Sequence, residues 1–328
     1  MDTTLRDGGN VVGHGFSLEL TESIIHGLLS AGIRDIEMGN CKGLGAYEHL
    51  NASNAPTDEE YLRLVSPYLS GGRIGMFMLA NCADKECVKK AAGAGLNFLR
   101  VGANAGDGVR AVNAVRMVKE AGLVCRYSLM KAYVLSAEEL AAEAKRLQDA
   151  GVDRITVMDS AGTMFPSEAA EYVSALKSCV SIPVGFHGHS NLGLSQANAL
   201  SAVHAGADEI DCGLLGMARS AGNCATELAA ATLQKHGYLP EIDLYRLLDY
   251  LDGKLNPAMK AYDYRPAVSP TDLMLGLAGC HSSFLPLLRQ TAAEAGVSLL
   301  QLIAAVSAVD RKSPDEKLIK KIAEELRS

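Results

Sequence analysis

The chain has 328 residues, 48% of them hydrophobic, with a formal net charge of −7 and a pI near 5.7. That length supports one large core, or a barrel with a small additional unit. The acidic balance and the lack of a basic patch argue against nucleic acid and anionic membrane surfaces as partners.

No apolar run approaches the ~20 residues of a transmembrane helix. The N-terminus lacks the basic and apolar regions of a signal peptide. The eight cysteines include no C-x-x-C pair. They read as reduced thiols, and the chain as cytoplasmic.

The chain opens on Thr3-Thr4-Leu5-Arg6-Asp7-Gly8-Gly9-Asn10. Thr4 and Leu5 suit a strand, predicted over Asp2–Leu5, and the two glycines break it. Arg6 and Asp7 then stand where a strand runs into a loop. Further strands are predicted at Arg34–Met38, Arg73–Leu79, Asn97–Gly102, Val124–Lys131, Arg154–Asp159, Val184–His189 and Glu209–Gly213. Amphipathic stretches at Leu18–Ala31, Asp58–Tyr68, Lys85–Ala94, Val109–Ala121, Ala137–Ala150 and Ser167–Ser178 read as helices between them. Another helix is expected from Leu192 to about Ala205. Several end in an Ala-Gly step, a helix stop that recurs about every 30 residues. Eight such units predict an α/β fold, a (β/α)₈ TIM barrel, over residues 1–240. An open doubly wound sheet is the alternative, but no G-x-G-x-x-G follows the first strand.

Within Phe186-His187-Gly188-His189-Ser190-Asn191, the two histidines occupy alternate positions of a strand end and face one way. Such a pair can share a metal ion, or can simply pack and hydrogen-bond. Beside them Asp7 supplies an oxygen ligand, and two histidines with one carboxylate suit a catalytic divalent metal. A barrel gathers its active site at the C-terminal strand ends. There Arg6, Asp7, Glu37, Asn40, Asn81, Asn104, Lys131, Asp159, Ser160, His187 and His189 collect. Cys41, Cys82, Cys212 and Cys224 lie near the same rim and read as small buried thiols. From Pro240 the period changes. Residues 241–328 carry helical patterns without strands: Asp243–Asp252, Thr271–Ala278, Phe284–Ala295, Leu299–Ala308 and Asp315–Arg327. They read as a C-terminal helical subdomain.

Three motifs carry a resemblance. Thr4-Leu5-Arg6-Asp7-Gly8-Gly9, His187-Gly188-His189-Ser190-Asn191 and Gly216-x₅-Gly222-Asn223 together resemble the DRE-TIM metallolyases, the HMG-CoA lyase-like family. Within it the chain is most similar to the aldolases that cleave a 4-hydroxy-2-oxo acid to pyruvate and an aldehyde. The resemblance implies that Asp7, His187 and His189, with Asn223 at or near them, hold Mn²⁺ or Mg²⁺. It implies that Arg6 stabilises a pyruvate enolate, that Glu37 orients Arg6, and that Ser160 positions the substrate carboxylate. It also implies a channelling partner, an acylating aldehyde dehydrogenase, docked through the C-terminal helices. That face could equally bind a second copy or pack on the barrel.

The departures fall on proton transfer. The related aldolases carry histidines where this chain has Asn10 and Asn40, and a tyrosine where it has His281. Asparagine is no general base near neutral pH. His281 is then a candidate base, the other reading being that it only caps or packs and a metal-bound water moves the proton; His14 is a further candidate, and Asn10 is left as a substrate-binding amide. Lys131, at the end of the fifth strand, is expected to bind an anionic substrate group; a Schiff base there is the other reading. A Claisen-type synthase of the same superfamily, acting on an acyl-CoA and a 2-oxo acid, is an alternative without a visible CoA signature. A catalytically impaired 2-oxo-acid-binding subunit is another. A carboxyltransferase would need a lysine at position 158, where this chain has Met158.

Overall fold

The computed structural model describes residues 1–327 except 268, 281, 311 and 312. Seven parallel strands pair in sequence order: β1 Asp35–Met38, β2 Arg73–Leu79, β3 Phe98–Asn104, β4 Val124–Met130, β5 Arg154–Asp159, β6 Val184–Gly188 and β7 Glu209–Asp211. The residue pairs climb in step, as in Asp35 to Arg73, Phe98 to Val124, and Ile155 to Val184.

The predicted first strand is reduced to one residue. Asp2 bridges Ile36 on one side and Cys212 on the other. Its amide donates to Asp35 O at 2.8 Å, and Thr3 N donates to Cys212 O at 2.7 Å. This pairing closes the barrel. The chain cannot continue as a strand because Arg6 N and Asp7 N both turn back to Thr3 O. A short 3₁₀ turn, Asp7–Val11, follows. The strand predicted to Gly213 likewise stops at Asp211.

Helices cover the strands: α1 Leu18–Ser30, α2 Ala46–His49, α3 Asp58–Val65, α4 Lys85–Gly93, α5 Gly108–Glu120, α6 Ala137–Asp149, α7 Pro166–Cys179, α8 Ser195–His204 and α9 Thr226–Lys235. Polar caps set their starts. Thr57 with Glu60, and Ser136 with Glu139, form reciprocal capping boxes. The predicted Ala-Gly stop after α1 is real. Gly32 has φ +87°, and a side chain there would meet Glu241 O at 2.6 Å. The strand faces toward the helices are apolar, with Ile36, Ile74, Leu99, Val101, Leu129, Ile155, Val157, Val184 and Phe186 all fully buried. Each such side chain contributes about 1.5–3 kcal/mol of transfer free energy.

After α9 the chain is helical: α10 Leu244–Tyr250, α11 Asn256–Met259, α12 Pro270–Ala278, α13 Leu285–Ala295, α14 Leu299–Val309 and α15 Glu316–Arg327. A π-turn, Leu251–Leu255, joins α10 to α11, so the helical run continues past the predicted end at Asp252. Among the described residues, no helix is long and apolar enough to cross a membrane.

Candidate metal centre

His187 and His189 sit on alternate positions at the end of β6, and their rings lie 5.2 Å apart, edge to face. Alternation makes them share a side, and the turn at Thr3 brings Asp7 over them. His187 Nε2 and His189 Nε2 lie 3.5 and 3.9 Å from Asp7 Oδ2. The ligand atoms of Asp7, His187 and His189 all lie within 4.8 Å of one another. One divalent ion with bonds of about 2.0–2.3 Å spans such a set. Asn223, in an antiparallel bridge with His189, donates from Nδ2 to Asp7 Oδ2 at 2.9 Å.

The backbone behind this centre is tight. Gly162 has φ +60°, and a Cβ there would lie 2.6 Å from both His189 O and Asn191 N. Any side chain at 162 would push the His189 turn off the site.

The electrostatics suit cation binding. Burial alone would raise the Asp7 pKa, but Arg6, His187 and His189 outweigh it and hold the carboxyl well below its usual range. Burial and the neighbouring His187 push His189 down to about 4. The imidazole is therefore neutral near pH 7, as metal ligation requires. The buried polar atoms without a partner include three that border Asp7: His187 Nε2, Asn223 Oδ1 and Arg6 Nη2. Two of these are lone-pair atoms beside Asp7, which fits a resident cation. The third is a donor one residue away.

A chain of buried charges stands behind these groups. Arg6 Nε donates to Glu37 Oε1 at 2.6 Å, and Arg6 Nη1 lies 3.1 Å from Asp7 Oδ1. Arg100 on β3 donates through Nη2 to Glu37 Oε1 at 3.0 Å and pairs through Nη1 with Asp211 on β7. These strands are not sheet neighbours, so the groups meet across the barrel interior. Asp211 Oδ2 then faces His187 Nδ1 at 3.2 Å. Arg100 overrides the burial of Asp211 and keeps its pKa low, so this carboxylate can only accept. His187 must carry its proton on Nδ1, leaving the Nε2 lone pair toward Asp7. Arg100 and Asp211 were not singled out in the sequence. Their signal was a charge on the inward alternation of an otherwise apolar strand.

The remaining rim residues divide. Asn10 donates to Asp7 O at 2.8 Å and Asp7 Oδ1 at 3.3 Å, so it does lie beside the centre. Ser160 Oγ accepts from Lys131 N at 2.9 Å, and Lys131 has a left-handed backbone (φ +55°) with an exposed side chain. Asn40 is tied to its own loop, donating to Ala52 O and accepting from Lys42 N. Asp159 caps the Thr163 and Met164 amides. His14 Nδ1 accepts from Asn54 N at 3.3 Å. His281 lies outside the described residues. No cysteine forms a disulfide among the described residues; Cys41, Cys212 and Cys224 are buried as expected, whereas Cys82 is only partly buried, and the Cys212 and Cys224 Sγ atoms lie 3.8 Å apart.

The fold and site together define a TIM-barrel protein with a buried Asp-His-His centre and an arginine at its mouth. Residues 1–252 match the model of the HMGL-like family, and the chain belongs to that family. It is 33% identical to a 4-hydroxy-2-oxovalerate aldolase of Carboxydothermus hydrogenoformans over 327 residues, 99% of this chain and 96% of that one. It is 36% identical to the protein of that name in Pelotomaculum thermopropionicum, over 87% of this chain and 83% of that one. The fold is also that of the Bacillus subtilis HMG-CoA lyase, with a TM-score of 0.67 at 16% identity, covering 81% of this chain and 94% of that one.

Proposed function

We propose that the chain is a divalent-metal-dependent aldolase, a carbon–carbon lyase that cleaves a 4-hydroxy-2-oxo acid to pyruvate and an aldehyde. The observation that carries this is the meeting of unpartnered buried atoms: a ligand nitrogen, an amide oxygen and a guanidinium donor within one mouth. The names of the curated relatives support the same chemistry.

Asp7, His187, His189 and the Asn223 oxygen would hold Mn²⁺ or Mg²⁺, which when bound polarises the 2-oxo group. The chain's own residues do the rest. A base takes the 4-hydroxyl proton, the C3–C4 bond breaks, the aldehyde leaves, and its electron pair becomes the pyruvate enolate. Arg6 Nη2 donates to the enolate oxygen as charge develops there. Glu37 fixes the guanidinium by holding Nε, and the Phe77 ring lies 5.0 Å from its carbon. Ser160 Oγ uses a lone pair on the Lys131 amide and keeps its proton for the substrate carboxylate. The Asn10 amide steadies Asp7 and borders the same space. We assign the base to His281 from the sequence alone.

Residues 241–328 are taken as the helical unit that would contact an acylating dehydrogenase or a second copy. The absence of disulfides among the described residues suits a cytoplasmic setting. The function is tested by deuterium exchange of the pyruvate methyl protons, which needs no knowledge of the aldehyde. Exchange should require Mn²⁺ or Mg²⁺ and fall in Arg6→Ala. Exchange that survives EDTA and is trapped by borohydride on Lys131 would replace this reading with a Schiff base.

A further inference from the structure

The loops after β5, β6 and β7 (residues 160–165, 189–194 and 212–225) form the metal side of the mouth. In a chain of net charge −7 they contain no acidic residue and one permanent charge, Arg219. Its loop is pinned on the His189 turn: Ser190 N donates to Gly222 O at 2.8 Å, and Ala221 N to Asn191 Oδ1 at 3.1 Å. At the other end, Met217 packs near Gly8 of the Arg6-Asp7 turn, where a Cβ would come within 3.2 Å of the Met217 side chain. The loop thus straddles both halves of the centre. Arg219 closes a turn with Gly222 N on its carbonyl, followed by Ser220 at φ +62°. Its side chain is exposed and, among the described residues, has no hydrogen bond or ion pair.

We propose that Arg219 is an anion receptor for the aldehyde half of the substrate, so that this half carries its own carboxylate or phosphate. The proposal rests on the pyruvate-enolate reading above. The pyruvyl half is served by the buried Arg6, by Ser160 and by the metal ligands. Arg219 is a separate cation, at the surface, where the distal end of a longer acid would emerge. It lies close enough to Cys41 and to His189 for its charge to be felt at both. No acidic side chain in the three loops neutralises it. A guanidinium presents paired donors that match carboxylate and phosphate oxygens.

The test is condensation of pyruvate with three aldehydes of matched length: unsubstituted, ω-carboxylated and ω-phosphorylated. The wild type should favour an anionic aldehyde by roughly tenfold or more in kcat/KM, chiefly through KM for the aldehyde. The carboxylated and phosphorylated arms show which anion is preferred. Arg219→Ala should bring the anionic-to-neutral ratio toward one, Arg219→Lys should keep part of it, and Arg219→Glu should invert it. The wild-type preference should also shrink as salt is raised. Metal-dependent pyruvate exchange without any charge preference would overturn the receptor and leave the aldolase reading standing. So would a preference unchanged in Arg219→Ala and Arg219→Glu. Absence of exchange would overturn both.

Discussion

The two ends of the barrel hold similar charged residues and use them differently. At the N-terminal end, Arg126 on β4 pairs with Asp35 and Glu209 and lies 3.8 Å over the Phe98 ring, while Arg154 also reaches Glu209. Charge faces opposite charge there, and the buried atoms left over, Arg126 Nε and Glu209 Oε1, belong to groups already paired through their other atoms. At the C-terminal end Arg6, His187 and Asn223 each keep a buried atom without a partner as well, but two of these are a ring nitrogen and an amide oxygen gathered beside one carboxylate, Asp7. Unmet hydrogen-bonding atoms cost stability, so a protein that gathers three around one carboxylate is built for something that meets them. The first end is a plug and the second a site. Arg100 belongs with the site, because its two carboxylates, Glu37 and Asp211, are the ones that hold Arg6 and His187.

The comparison can be broken by exchanging the expected outcomes of the two ends. Asp7→Ala should remove measurable Mn²⁺ binding and lower pyruvate exchange by more than about 10³-fold. Arg126→Met should do the opposite: an unfolding free energy lower by roughly 3–5 kcal/mol in denaturant titration, with Mn²⁺ affinity kept. Arg6→Met should cost about 10²–10³ in exchange rate at saturating metal, the scale of removing one donor from a developing oxyanion.

Asp211→Asn sharpens the comparison by loosening the charges behind the site. Asparagine can offer His187 an N–H where the proton should be accepted, so both the tautomer and the Nε2 lone pair become uncertain partners of the metal. Mn²⁺ affinity should fall by roughly 10–100-fold in calorimetric titration. The smallest effect is at Glu227, whose carboxylate accepts from Leu215 N at 3.0 Å and whose pKa burial pushes up to about 7 from 4.5. The folded state therefore holds this proton over a range where the unfolded state has lost it. The stability it contributes is fully present below about pH 4.5 and is lost as pH rises through about 7. Glu227→Gln should flatten that decline, so that its melting temperature exceeds the wild type more at pH 8 than at pH 5.

Much of this was legible in the sequence, and the reason is local. β2 and β5 begin and end where their apolar runs do, at Arg73 and Leu79 and at Arg154 and Asp159. The His-x-His spacing puts two candidate ligands on one side by strand geometry alone. The first strand was misread because Thr4 and Leu5 have strand character, whereas the turn at Thr3 O and the closure at Asp2 depend on Cys212, some two hundred residues away. The polar rim was over-read for a related reason. Asn40 and Asp159 stand at strand ends as expected, yet their own loops take up their hydrogen bonds. The Arg100–Asp211–His187 chain is tertiary in origin: three strands must close into a barrel before those side chains can meet. Its trace in the sequence was a charge on the inward alternation of strands that should be buried, such as Arg100 in Phe98–Asn104.

The central claim is that the paired yet unsatisfied mouth is a one-ion metal centre coupled to Arg6. Titration of the apo chain with Mn²⁺, followed by the loss of free-ion EPR signal, tests it most directly. The account predicts one site per chain, abolished in Asp7→Ala and in His187→Ala and preserved in Arg126→Met. Binding that survives in Asp7→Ala, or that is lost equally in Arg126→Met, would contradict it.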